Sequence, residues 1–293
     1  MTHAILIIAH KYPEMLVPLI EYFKRDCAVY IHYDKNAALT KKEVTRLCSY
    51  PQVKGLYQKI AVHWGGYSVL QAELFLLQQA YNDGVADYYH LVSGQDYPIK
   101  PLHEFLSFFQ AHSGKDFIAY KPMDNDKNDK DVMRRLFIFQ PHNLINARTR
   151  EGLHIVSAWN NHQLKNGFRR TPPRYFAQYY KGSQWFSITS SSACLLLEQS
   201  PSNIALLRHL KYGFAPEECY VPTVLMNSSR PHEVINNNLR YIRWYGENGN
   251  NPSNLGIEHF NELRKTDAFF ARKMQPPYCI SLIQSINTNL LYG

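Results

Sequence analysis

The sequence predicts an α/β fold in which a parallel-rich sheet is covered by helices on both faces. Two observations carry that reading. Over about the first 120 residues, apolar runs of strand length alternate with segments whose apolar residues recur at helical spacing. The polar residues His10, Asp34 and Asp96 fall at or just beyond the ends of those runs, where open sheets of this kind bind ligands.

The elements follow in order. Ala4–Ala9 is continuously apolar and reads as a buried first strand, His10–Pro13 turns the chain, and MLVPLIEYFKR has helical spacing despite Pro18. CAVYIHYDK is a second strand ending in Asp34. Lys41–Cys48 reads as a helix, Val53–Tyr57 as a short strand and Tyr67–Tyr81 as a helix. The strand DYYHLVSGQD, the helix Leu102–Ala111 and the strand DFIAYK complete this half. From Met123 to Arg174 the pattern weakens: DNDKNDKD is a solvated charge run, and basic, aromatic and proline residues mix beyond it, as in a helical or irregular insertion. Regularity returns with WFSITSSSACLLLEQ, a strand then a helix, and with APEECYVPTVLMNS, a helix introduced by proline.

A chain of 293 residues can bury a large core, and 45% hydrophobic with 19% charged residues is a globular composition. The formal net charge of +8 favours an anionic partner: nucleic acid, a membrane surface or a phosphorylated substrate. Apart from pairs such as Arg134–Arg135, Arg169–Arg170 and Arg272–Lys273, the basic residues are scattered and no nucleic-acid motif accompanies them. A small phosphate-bearing ligand therefore fits at least as well. Five cysteines without a CxxC pair suggest neither a zinc site nor a disulfide framework, and fit a reducing compartment. The N-terminal residues read as a buried strand rather than a leader, and no segment is apolar for long enough to span a membrane.

Several residues could carry chemistry. Asp34 could accept hydrogen bonds from a ribose or a base N–H, or simply cap a turn. Asp96, in SGQDYPIK, also follows a strand, and before a proline it reads more simply as a turn former. Asp124-Asn125-Asp126 matches the Asp-x-Asp pattern that holds a divalent metal through oxygen ligands, in a tract so acidic that the match is nearly expected by chance. Glu217 and Glu218 follow Pro216 in the first turn of a helix, where the dipole favours carboxylates and one of them could act as a general base. Arg272 and Lys273 could neutralise a diphosphate leaving group. In HWGGYSVLQAEL, two glycines at a helix entrance allow either a tight turn or a close backbone approach to a ligand.

IIAHKYPEML, VYIHYDK, HWGGYSVLQAEL, YYHLVSGQDYPIK, GSQWFSIT, APEECYVPTVLMNS and FFARKM occur in the order of the motifs of the core-2/I-branching β-1,6-N-acetylglucosaminyltransferase family, which also holds the peptide O-xylosyltransferases. The chain resembles a bacterial-type member of that family from about Ile5 to Met274. The resemblance implies a GT-A type glycosyltransferase fold, a Rossmann-like mixed sheet flanked by helices. It also implies transfer of a sugar from a UDP-sugar to a hydroxyl with inversion, no metal ion and no other cofactor. One catalytic domain over 1–293 is expected: about 1–122 nucleotide-binding, about 123–174 an insertion, and about 175–293 binding acceptor and diphosphate.

By the same resemblance, Ile8 and Asp34 match donor-nucleotide contacts, and Val62, His63 and Trp64 line the nucleotide site, with the glycines beside Trp64 allowing close approach. Asp96 would face the donor sugar, Gln184 and Trp185 would touch donor or acceptor, Glu218 would be the catalytic base, and Arg272 and Lys273 would grip the diphosphate. Two positions depart from the pattern. An additional diphosphate arginine of some members falls near Asn250, leaving its role to a residue such as Arg243, and Asn251 stands where the xylosyltransferases have a serine beside the nucleotide. The middle region, with Arg134, Arg135 and Trp159, reads as an acceptor wall without a catalytic part.

The resulting expectation is an inverting, metal-independent enzyme of surface polysaccharide synthesis. N-acetylglucosamine is the first donor sugar and xylose the second. A glycan or lipid-linked saccharide is the acceptor, nucleic acid is not a partner, and the compartment is cytoplasmic with peripheral contact at the inner membrane face left open. The alternative is a catalytically silent UDP- or glycan-binding protein of the same fold.

Overall fold

The computed structural model describes residues 1–24, 26–84, 86–124, 129–229, 233–244, 246 and 251–291. The first half of the chain contains β1 (His3–Ala9), α1 (Pro13–Phe23), β2 (Cys27–Tyr33), α2 (Lys41–Cys48), β3 (Val53–Tyr57), α3 (Tyr67–Asn82), β4 (Tyr88–Ser93), β5 (Tyr97–Pro98), α4 (Leu102–Ala111) and β6 (Lys115–Met123). A short α5 (Lys130–Val132) runs into a π-helical turn at Met133–Phe137, followed by α6 (Arg150–Lys165). Then come β7 (Tyr179–Thr189), α7 (Ser190–Leu197), α8 (Pro201–Leu210), α9 (Glu217–Met226), β8 (Glu233–Asn236), β9 (Arg240–Ile242), α10 (Phe260–Leu263), β10 (Phe270–Arg272) and α11 (Ile280–Ile286).

The seven residues of β1 are all buried, and their period of two divides them between two cores. Ala4, Leu6 and Ile8 face a core shared with Leu70, Leu76 and Leu77 of α3 and with Tyr220, Val221 and Leu225 of α9. Ile5, Ile7 and Ala9 face the other, with Leu16, Leu19 and Ile20 of α1 and with Phe105 and Phe109 of α4. A strand buried on both faces needs helices on both faces, which is why its run is continuously apolar. Helix starts are set locally. Thr40 and Glu43 form a capping box on α2, Oγ1 of Thr40 accepting from the Glu43 N–H at 3.3 Å and the Glu43 carboxylate accepting from the Thr40 N–H at 2.6 Å. Pro18 removes one hydrogen bond from α1, but six buried residues, among them Leu19, Ile20 and Phe23, hold the helix against the sheet.

The main sheet has seven strands in the order β3-β2-β1-β4-β7-β6-β8. Strands β1 to β4 are mutually parallel where they pair, as the alternation of strands and helices predicts. β7 runs antiparallel to both β4 and β6, which makes the sheet mixed. Four of the six pairings are parallel, β6 with β8 among them, so the sheet is parallel-rich as expected, with β7 as its antiparallel strand. The result is the mixed sheet flanked by helices expected of a GT-A type chain.

A second sheet, β5-β10-β9, forms beyond the carboxyl ends of β1 and β4. Phe270 pairs with Pro98 and Ala271 with Tyr97, so β10 is laid against the residues that follow Asp96. This small sheet positions the site, since it delivers Arg272 and Lys273 to the end of the larger one. No helix of the described residues is long and apolar enough to cross a membrane.

Candidate functional site

The carboxyl ends of β1, β2 and β4 are joined by backbone hydrogen bonds. The Asp34 N–H donates to the Ala9 carbonyl at 2.8 Å, and the Gly94 N–H to the Ile8 carbonyl at 2.9 Å. Oδ1 of Asp34 accepts from the N–H groups of Asn36 and Val62, both at 3.0 Å, so this carboxylate fixes the Val62 segment against the end of β2. Ile8 and Val62 thereby share one rim. His63 borders a groove of about 610 Å³ between α3 and α8, together with Tyr67, Gln71, Arg208 and Lys211.

Trp64 is 48% exposed and meets Phe214 edge-on at 5.6 Å between ring centroids and His142 at 6.2 Å. Gly65 has φ +71°, and a Cβ there would come within 2.6 Å of the Phe214 ring. A Cβ on Gly66 would meet Oδ1 of Asn143 at 2.5 Å. The bare backbone is therefore required by the protein's own packing against residues 142, 143 and 214. It has a further use: the Gly65 carbonyl accepts from the Ala215 N–H at 2.9 Å, which ties this turn to the start of α9.

Asp96 also differs from expectation. It is 2% exposed, and its carboxylate accepts from the Ser93 N–H and the Ser93 hydroxyl, each at 2.9 Å, and pairs with Nη1 of Arg272 at 3.3 Å. With both oxygens committed, it holds Arg272 instead of facing a sugar. Trp185 covers the guanidinium from the other side, 4.1 Å from its ring centroid, a desolvated cation–π contact. Burial lowers the pKa of Arg272 and Asp96 opposes that shift.

Lys273 follows, half-buried. Burial first, and then repulsion from Arg148, Arg272 and Lys11, push its ammonium down to about 8. Burial and the cations Arg148, Lys11 and Lys273 hold His10 at about 4, so it stays neutral at pH 7 although Asp34 pulls the other way. Four cations thus converge beside the ends of β1 and β10. Among the described residues, no three His, Cys, Asp or Glu side chains converge to hold a metal ion. Asp126 and Asn125 of the Asp-x-Asp match, and Asn250, lie outside the described residues. Asn251 is exposed, and Arg243 is paired with Glu262 at 3.1 Å, which commits its guanidinium elsewhere.

Glu218, in the first turn of α9, accepts from Nη2 of Arg135 at 2.6 Å while its side chain keeps 30% exposure. Arg135 is buried and also donates from Nε to Asp131 at 3.0 Å and from Nη1 to the Ala215 carbonyl at 3.2 Å. Burial opposes its charge, but the Cys219 sulfur, Glu218 and Asp131 outweigh that cost and raise its pKa. Behind Glu218, Glu73 of α3 and Glu217 are both enclosed. Burial and then the neighbouring carboxylate push each upward: Glu217 acts on Glu73, and Glu218 on Glu217. The Gln184 amide lies alongside Glu73 and pulls the other way.

Two series of contacts join the cations to Glu218. One runs from Arg272 over Trp185 to neighbouring Gln184 and the buried glutamates. The other runs from Arg148, 5.7 Å over the Trp64 ring, through Gly65 and Ala215 to Arg135. The site has cations at one pole and a carboxylate at the other.

The family model for the Core-2/I-Branching enzyme matches residues 4–264. The chain belongs to the Core-2/I-Branching enzyme family. It is thus a member of a family of glycosyltransferases. Xylosyltransferase 2 of Canis lupus familiaris is 25% identical over 284 residues, covering 90% of this chain and 30% of that protein. Xylosyltransferase 1 of Rattus norvegicus is 23% identical over 291 residues, covering 92% and 33% respectively. The chain thus spans about a third of the length of the curated relatives it matches. Among solved structures, S. aureus TarS 1–349 in complex with UDP overlaps at a TM-score of 0.42 with 11% identity, over 98% of this chain and 65% of that one.

Within this Core-2/I-Branching chain, sequence reasoning missed Arg148 and the contact between Arg135 and Glu218. Both arginines lie in the stretch between β6 and β7, where the expected role was an acceptor wall and nothing more. Arg135 and Glu218 are 83 residues apart, and no periodicity connects them. The only available signal was the concentration of basic residues in a region without regular apolar spacing.

Proposed function

We propose that the protein transfers a sugar from a UDP-sugar to a hydroxyl of a saccharide acceptor by direct displacement, with inversion at the anomeric carbon. The observation that carries this reading is the opposition of the Arg272–Lys273 pair, fixed by Asp96 and Trp185, to a partly exposed Glu218 fixed by Arg135.

Glu218 takes the proton of the acceptor hydroxyl as its oxygen bonds to the anomeric carbon. The bond from that carbon to the donor's phosphate oxygen breaks, and its electron pair leaves with UDP. Lys273 and Arg272 stabilise the charge that gathers on the departing diphosphate. Arg135 sets the direction of the Glu218 carboxylate, and binding between the two poles brings both substrates in line. Asp34, Ile8 and Val62 form the rim proposed for the uridine.

The reaction is proposed to be metal-independent, since basic side chains occupy the diphosphate end and Asp96 is committed to Arg272. N-acetylglucosamine and xylose are the proposed donor sugars, the second supported by the names of the curated relatives. A glycan or lipid-linked saccharide of surface polysaccharide synthesis is the proposed acceptor class. The five cysteines remain thiols, in keeping with a reducing, cytoplasmic setting.

The test is a donor and acceptor screen with the wild type and Glu218→Gln. Transfer by the wild type, lost in the variant while UDP binding persists, supports the reading. UDP binding without transfer to any acceptor in a broad screen favours a silent binding protein.

A further inference from the structure

We infer that Arg148, aided by Lys11, places further positive charge on the diphosphate of the bound nucleotide beside Lys273. This rests on the donor-site reading above.

The position of Arg148 is built. Its N–H donates to Oδ1 of Asn146 at 3.1 Å, and Thr149, the next residue, caps α6 by accepting from the Gly152 N–H at 3.0 Å. Gly152 is pressed against the Asn146 carbonyl, where a Cβ would come within 2.0 Å, so the turn that presents Arg148 is tightly packed. The guanidinium lies over the Trp64 ring, and Trp64 is braced by Phe214 and His142.

Charge supplies the second reason. Arg148 and Lys11 approach closely enough to disfavour the charge of Lys273 and of a protonated His10, and among the described residues none of the three cations is ion-paired with a carboxylate. Like charges brought together without a counter-charge cost free energy unless an anion completes the group. A diphosphate supplies that charge and accepts the forked hydrogen bonds of a guanidinium. Arg243, the other arginine considered for the role, already has Glu262 as its partner, whose carboxylate also accepts from the Tyr241 hydroxyl.

Calorimetric titrations with UDP, UMP and uridine in EDTA decide the matter, using the wild type, Arg148→Gln, Lys11→Gln, Arg243→Gln and Lys273→Ala. Arg148→Gln is expected to weaken UDP binding by about 10-fold or more, UMP binding less and uridine binding not at all. Lys11→Gln should lose a few-fold, and Arg243→Gln should bind UDP like the wild type. If Arg148→Gln does not fold, Arg148→Lys takes its place and should give an intermediate loss, since an ammonium cannot fork. Wild-type UDP affinity in the Arg148 variants, with affinity lost in Lys273→Ala, would overturn the assignment and leave the donor site standing. A loss in Arg243→Gln equal to that in Arg148→Gln would also overturn it. No binding of UDP by the wild type would bring down the donor site and this inference together.

Discussion

Arg135 and Arg148 come from the same stretch between β6 and β7, yet the two poles of the site treat them oppositely. Arg135 is enclosed between Asp131 and Glu218, with a carbonyl to complete its hydrogen bonds. Arg148 rests on an aromatic face among Lys11 and Lys273, with no carboxylate partner among the described residues. A charge neutralised within the fold is structural: it holds another side chain in place. A charge left uncompensated beside other like charges marks where the charge of a ligand belongs.

Substitutions at the two poles should therefore fail in different ways. The largest effect is expected at the carboxylate pole, where Glu218→Gln should lower transfer by about 10²- to 10⁴-fold, the usual worth of a general base. UDP affinity should stay unchanged in the same variant by calorimetry. Next is Arg135→Met, which leaves Asp131 and Glu218 without their common partner and should cost about 3–5 kcal/mol in chemical denaturation, as broken buried pairs do. Neither Arg148→Gln nor Lys273→Ala should destabilise to that degree, and Lys273→Ala should relieve repulsion and keep the melting temperature at or above that of the wild type.

A smaller effect follows from the lowered pKa of Lys273. Its ammonium is charged below about 8, so UDP affinity should be full near pH 7 and fall as pH rises through 8 towards 9. Lys273→Ala should bind weakly and without that pH dependence. A last effect, on stability and not on UDP binding, belongs to Glu73→Gln. The folded protein holds the Glu73 proton more tightly than the unfolded chain, so its contribution to stability is complete below about pH 4.3 and is lost as pH rises through the folded value. Melting curves should show Glu73→Gln matching the wild type in acid and gaining on it at alkaline pH.

The same two poles show what was legible in the sequence. β1, α2, β3 and α4 could be read because burial on both faces, a Thr-x-x-Glu cap and helical apolar spacing are local signals. The Arg272–Lys273 pair and the glutamates after Pro216 could be read as types of residue in a local context, and the order of seven motifs joined them. What could not be read depends on which distant groups meet. Asp96 turns inward because β10 brings Arg272 to it across 176 residues of chain, by the difference of their numbers. The glycines beside Trp64 are held bare by Phe214 and Asn143, residues that no spacing rule connects to them. Arg135 and Arg148 sat in a region without periodicity, where composition records charge but not its partners.

The central claim is that basic side chains alone form the diphosphate site of a UDP-sugar donor. The most direct test is calorimetric titration of the wild type and Lys273→Ala with UDP, UDP-N-acetylglucosamine and UDP-xylose, each in EDTA and again with manganese. Binding that is equal in both conditions and is lost in Lys273→Ala is the predicted result. Binding that requires manganese, or that survives in Lys273→Ala unchanged, would contradict the account.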